Sequence, residues 1–224
     1  MLFSTIASIA ALAGMTVASS AGGMQITVKN QCQFDLDVTK LTNGQSSGST
    51  NKVSQGSSQN YPLDEQWQGR FSARQSGSNG SPSDPVSLAE FTFRGAGGND
   101  FYDLSFVDGF NLPLKIAPVN GHGGSNADGQ YNCGSPTCST LPTCPSDMKL
   151  TNNGQFSSCQ SACAKYKSDE YCCTGANSTP DTCSPNSYSK AVKSDCPDAY
   201  SYAYDDKSST YSCVAEGYDI TFCP

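Results

Sequence analysis

LAEFTFRGAGGNDFYDLSFVDGF, residues 88–110, carries the pattern that decides the fold class. Ala89, Phe91 and Phe93 fall on one side of an extended chain; Leu88, Glu90 and Thr92 fall on the other. That period of two marks a half-buried β-strand. Gly95 to Asn99 interrupts it as a loop. Working outward, the same alternation runs through Met24, Ile26 and Val28, then Phe34, Leu36 and Val38, and at the far end Tyr218, Ile220 and Phe222. Between these runs, Thr42 to Ser58 is rich in Ser, Gly, Asn and Gln and reads as a loop or a long polar hairpin. Gln75 to Pro85, with Gly77, Gly80, Pro82 and Pro85, reads as a second loop.

Composition shifts near Asn120, and eleven of the twelve cysteines lie from Cys133 onward. In that part Ser157–Tyr166 is the best helix candidate, with Cys159, Cys163 and Tyr166 at helical spacing, and Ser187–Val192 is a shorter one. A loop-rich block of this kind buries too little apolar area by itself, so covalent staples substitute for core. The expected class is all-β with a small, partly helical, disulfide-rich subdomain.

Twelve cysteines in 224 residues point to an oxidising compartment. The N-terminus agrees: an apolar run from Leu2 to Val17 ends in small residues, so residues 1–21 read as a cleaved signal peptide and the protein as secreted. No other segment is apolar enough to span a membrane. Asn79 and Asn177 head glycosylation sequons, which fit that compartment. A net charge of −7 and a pI near 4.5 argue against nucleic acid as a partner. The expected state is a monomer without cofactor.

Most catalytic constellations fail on composition. Cys133/Cys138 and Cys159/Cys163 have loosely zinc-like spacing, but the chain has 1 histidine, His122, in a Gly-rich loop, and no metal is expected. The same lone histidine excludes a Ser-His-Asp or Cys-His hydrolase. Carboxylates remain: Glu90, Asp103, Asp108 and Asp206, each beside aromatic residues. Acidic residues on strands ordinarily just face solvent. Beside rings, however, they suit carbohydrate, whose C–H faces stack on aromatics while its hydroxyls donate to carboxylates. A carboxyl pair is also the minimum apparatus for glycoside hydrolysis.

LAEF, FYDLSFVDGFNLPLKIAP, YCCTG, CPDAYSYAYDD and the terminal YDITFCP together resemble the thaumatin-like, pathogenesis-related family, over Ile26 to Pro224. The resemblance implies a β-sandwich core, residues 22–139 and 197–224, beside a disulfide-rich subdomain, residues 140–196, with a cleft between them. The family usually has sixteen cysteines; the four absent here belong to a loop that this chain shortens to Gln75–Pro85. For the rest it implies the pairs Cys32–Cys223, Cys133–Cys213, Cys138–Cys196, Cys144–Cys159, Cys163–Cys172 and Cys173–Cys183. Closing nearly the whole mature chain through Cys32–Cys223 is worth about 4–5 kcal/mol on chain-entropy grounds.

The family's cleft motif of one arginine, one glutamate and three aspartates maps onto Arg70, Glu90, Asp103, Asp108 and Asp206. Arg74 and Asp205 compete for the first and last places. Asp103 and Asp108 differ by five positions, so both reach one cleft only if the strand ends or bulges before Asp108; Gly109 favours an ending. Clustered carboxylates raise one another's pKa, and an arginine keeps a neighbour ionised, which is the acid/base division of a glycosidase. The resulting expectation is Glu90 as acid, shielded by Phe91 and Phe93, Asp108 or Asp103 as base or nucleophile, and Arg70 and Asp206 as substrate-binding residues. The ligand implied is the β-1,3-glucan of cell walls. Non-catalytic glucan binding in antifungal defence, or hydrolase inhibition, stand as alternatives.

Overall fold

The computed structural model describes residues 23–78, 80–124 and 129–224. The signal-peptide segment and the Asn79 sequon residue lie outside these. Five strands open the chain: β1 (Gly23–Asn30), β2 (Leu36–Thr42), β3 (Ser49–Val53), β4 (Ser58–Asp64) and β5 (Gln68–Gln75). They are followed by β6 (Leu88–Thr92), β7 (Asp100–Ser105), β8 (Gly109–Phe110), β9 (Leu114–Val119) and β10 (Thr137–Cys138). The disulfide-rich stretch holds β11 (Lys149–Asn152), β12 (Gln155–Gln160), α1 (Ala162–Tyr166), α2 (Asp169–Cys172) and α3 (Ser187–Asp195). The chain ends in β13 (Ala199–Tyr200), β14 (Tyr211–Cys213) and β15 (Gly217–Phe222).

Two sheets face each other. One has the order β10-β9-β15-β1-β4; the other runs β13-β7-β6-β5-β2-β3, with β14 also on β7. The alternating residues turn inward from both. Ile26, Val28, Ile116, Ile220 and Phe222 of the first sheet meet Leu36, Phe71, Tyr102 and Leu104 of the second, all without solvent exposure. The Tyr218 ring sits 5.4 Å from Phe91 and 5.7 Å from Phe93, joining the sheets through aromatic contacts. Each such buried side chain contributes about 1.5–3 kcal/mol.

Six bridges close among the described residues, in the pairs Cys32–Cys223, Cys133–Cys213, Cys138–Cys196, Cys144–Cys159, Cys163–Cys172 and Cys173–Cys183. Among the described residues no helix is long and apolar enough to cross a membrane.

One local expectation changes and two take definite form. Ser157–Gln160 is strand, and only Ala162–Tyr166 is helical. Cys159 is opposite both Lys149 and Phe110, so its backbone is committed to a ladder of three strands. Ser161 then starts the helix by accepting the Ala164 N–H on its hydroxyl. The polar stretch after Thr42 is a hairpin whose return strand, β3, pairs with β2 from Lys40↔Ser49 to Leu36↔Val53. The shorter helix expected at Ser187 extends to Asp195, capped by Asn186, whose side chain accepts from the N–H groups of Tyr188 and Ser189.

Candidate functional site

Arg70, Glu90 and Asp103 lie in one row across three neighbouring strands. In the antiparallel ladders Arg70 of β5 is opposite Glu90 of β6, and Glu90 is opposite Asp103 of β7. Directly opposed residues share a face, with Cβ atoms about 4.5–5.5 Å apart. That face is the outer one: Phe71 and Ala89, one position along each strand, turn into the core with no exposure. The row continues to β13, where Tyr200 is opposite Ser105, two residues beyond Asp103 and therefore on the same side.

Asp108 reaches this face because β7 stops at Ser105. The chain turns, and Gly109, at φ +132°, starts β8 in a different sheet; a Cβ there would come within 2.1 Å of the Cys159 carbonyl oxygen. Asp108 is exposed at that turn. Arg70, Glu90, Asp103 and Asp108, together with Ser105 and Tyr200, line a cavity of about 260 Å³. Asp206, from the short turn after Asp205, does not line this cavity and is tied to it through Tyr200, whose hydroxyl it accepts at 2.9 Å.

Arg74 and Asp205, the competing candidates, do not line this cavity. Arg70 Nη1 is 4.0 Å from Glu90 Oε1. Arg74 lies further along β5 and donates instead to the backbone oxygen of Asp84. Asp205 is buried in a different network, accepting from the Ser201 N–H and hydroxyl and pairing with Lys193 at 3.1 Å. That network anchors the turn carrying Asp206. Lys193 also donates to the carbonyls of Ala199 and Ser208 and to the Ser209 hydroxyl.

The electrostatics divide the carboxyls. Burial pushes Asp103 well above the ordinary carboxylate range, and the charges of Glu90 and Asp206 push the same way. Its Oδ1 is buried and has no hydrogen-bond partner among the described residues. A protonated carboxyl with an unpartnered oxygen is ready to meet a ligand hydroxyl. Glu90 is also raised, chiefly by burial and in part by Asp108; Arg70 and a hydrogen bond from Ser105 oppose this. The expected shielding by Phe91 and Phe93 does not occur. Both rings are on the opposite face, packed on Tyr218, whereas Glu90 lines the cavity.

Ser105 and Tyr200 were not singled out from the sequence. The period of two carried the signal for Ser105, two places from Asp103; Tyr200 becomes a neighbour only through the parallel β7–β13 pairing. The Asn177 sequon residue sits far along the disulfide-rich stretch, donating its amide to the Thr182 carbonyl at 2.9 Å.

Residues 76–224 match the Thaumatin family. The pathogenesis-related thaumatin-like protein 3.5 of Cryptomeria japonica is 53% identical over 142 residues, 62% of this chain and 55% of that protein. Two further relatives are matched over 59% and 57% of their length, so the chain spans little more than half of each of these proteins. A glucan endo-1,3-beta-glucosidase of Prunus avium is 37% identical over 241 residues, 94% of this chain and 95% of that one. A laminaripentaose-producing β-1,3-glucanase, solved with laminaritetraose, shares the fold with a TM-score of 0.64 at 11% identity, over 92% of this chain and 99% of that one.

Proposed function

The chain belongs to the thaumatin family, and from that premise we propose that its acidic cleft binds β-1,3-glucan and hydrolyses it, in a secreted protein of defence. The observation that carries this reading is the row Arg70, Glu90, Asp103 across β5, β6 and β7, with Asp108 facing it from the turn. Support also comes from the relative named as a glucan endo-1,3-beta-glucosidase.

In this reading Glu90 is the general acid. Burial favours its protonated form, and it stands at the rim where a glycosidic oxygen can reach it. Asp103 holds its own proton more firmly, which suits it to hydrogen-bonding a sugar hydroxyl and not to attack. Asp108, exposed across the cleft, is the base or nucleophile for the anomeric carbon. Arg70 limits how far the Glu90 pKa climbs, and Asp206 with Tyr200 binds the chain of sugars at one side.

The test is reducing sugar released from soluble β-1,3-glucan by the disulfide-bonded protein and by Glu90→Gln. Loss of a general acid costs about 100-fold or more in turnover. Release by Glu90→Gln at the wild-type rate would remove Glu90 from this role. Retention of the protein on insoluble glucan without any product from the wild type would leave binding as the function.

A further inference from the structure

A second cavity adjoins the cleft and has different chemistry. It measures about 290 Å³ and shares Val107 and Ala203 with the acidic cleft, but none of the five cleft residues lines it. Its apolar lining includes Phe106, Phe110, Met148, Tyr171, Tyr188 and Val192. The Cys144–Cys159 and Cys163–Cys172 bridges tie down the segment between them. Among the described residues no acidic or basic side chain lines this cavity, in a chain of net charge −7. Its polar groups are amides and hydroxyls, among them Gln160, Asn186 and Tyr202.

We propose that this cavity is a binding site for a small, neutral, two-ring aromatic molecule bearing a hydroxyl group. The charge follows from the lining. An anionic ligand would give up its hydration with no cation to meet it, and a cationic one would find no carboxylate. The size follows from the volume: a cavity of about 150 Å³ holds benzene, and this one has room for a second ring. The hydroxyl follows from the uncharged donors and acceptors on the wall, which orient a ligand that the rings hold. Bridged walls keep the space open, so binding does not spend its free energy on ordering the site. The site is independent of the glucan reading and its test uses no glucan.

The probe is 2-naphthol, neutral at mildly acidic pH, titrated with the intact disulfide-bonded protein and followed by its own fluorescence. Its anionic counterpart is 2-naphthoate. Expected are saturable one-site binding of 2-naphthol with a dissociation constant below about 1 mM, and binding of 2-naphthoate weaker by at least about tenfold. Ala191→Trp fills the cavity from an exposed position on α3 and should abolish binding; Ser187→Trp, exposed on the same helix, is the second filled variant. No saturable binding to the wild type, equal binding of the two probes, or full binding by both folded tryptophan variants would each overturn the proposal.

Discussion

Arg70→Gln tests the electrostatics of the cleft most directly. The guanidinium and the Glu90 carboxyl stand 4.0 Å apart, with side chains 44% and 35% exposed. Two unit charges at that separation attract by about 1 kcal/mol in water and about 4 kcal/mol at an effective dielectric of ~20. Glu90 is largely enclosed but both side chains keep some contact with water, and measured pairs with such contact are worth about 0–1 kcal/mol. One pH unit corresponds to about 1.36 kcal/mol. Removing the guanidinium should therefore raise the Glu90 pKa, with up to about 1 kcal/mol, or about fivefold, more weight on the protonated form in dilute buffer. At physiological ionic strength, with a Debye length of about 8 Å, the effect should fall to about threefold.

The sign follows from the proton balance. Arg70 favours the ionised carboxylate, so its loss favours the protonated form. The assay is a carbon-13 titration of the carboxyl groups in glutamate-labelled protein, a tractable spectrum because the chain has only four glutamates: Glu65, Glu90, Glu170 and Glu216. Glu90 and Asp103 titrate as a pair, so the midpoint read on the Glu90 carbon is an apparent one, and the measurement is repeated in an Asp103→Asn background. If Glu90 is the acid, the alkaline limb of the pH–rate profile moves up with it. A midpoint that stays, falls, or shifts by the same amount at every salt concentration would refute the Arg70–Glu90 coupling.

Asp103→Asn should stabilise the protein at neutral pH. A carboxyl whose folded pKa is raised costs stability as pH climbs from its unfolded value, about 3.9, through the folded one, and costs nothing below. Calorimetry should find a Tm gain of a few degrees at pH ~7 that vanishes near pH ~3; a gain equal at both would assign it to packing. Lys193→Met should strand the buried Asp205 carboxylate, costing about 3 kcal/mol, or about 6–12 °C in Tm. Because Asp206 rides on the same turn, glucan affinity should fall with it; an unchanged Tm would show that the Lys193 contacts do not hold the turn.

What the sequence determined by itself was local or covalent. A period of two states which side chains share a face, so Glu90 opposite Phe91 and Phe93, and the terminal strand through Tyr218, Ile220 and Phe222, were legible from spacing. The cysteine count announced a stapled fold, and long motifs such as FYDLSFVDGFNLPLKIAP carried the family and, through it, the five residues proposed for the cleft. The tertiary structure decided what depends on partners distant along the chain. Register is such a property: a slip of one residue between β5 and β6 would turn Arg70 away from Glu90 without altering the pattern of either strand. So was the state of Ser157–Gln160, whose cysteine spacing fits a helix until pairing with β8 and β11 claims its backbone. The neutral cavity beside the cleft belongs to the same class. It exists only where the turn after β7, the bridged segment around α1, the face of α3 and the Ser201–Ala203 stretch converge, and no one of these segments encloses a space alone.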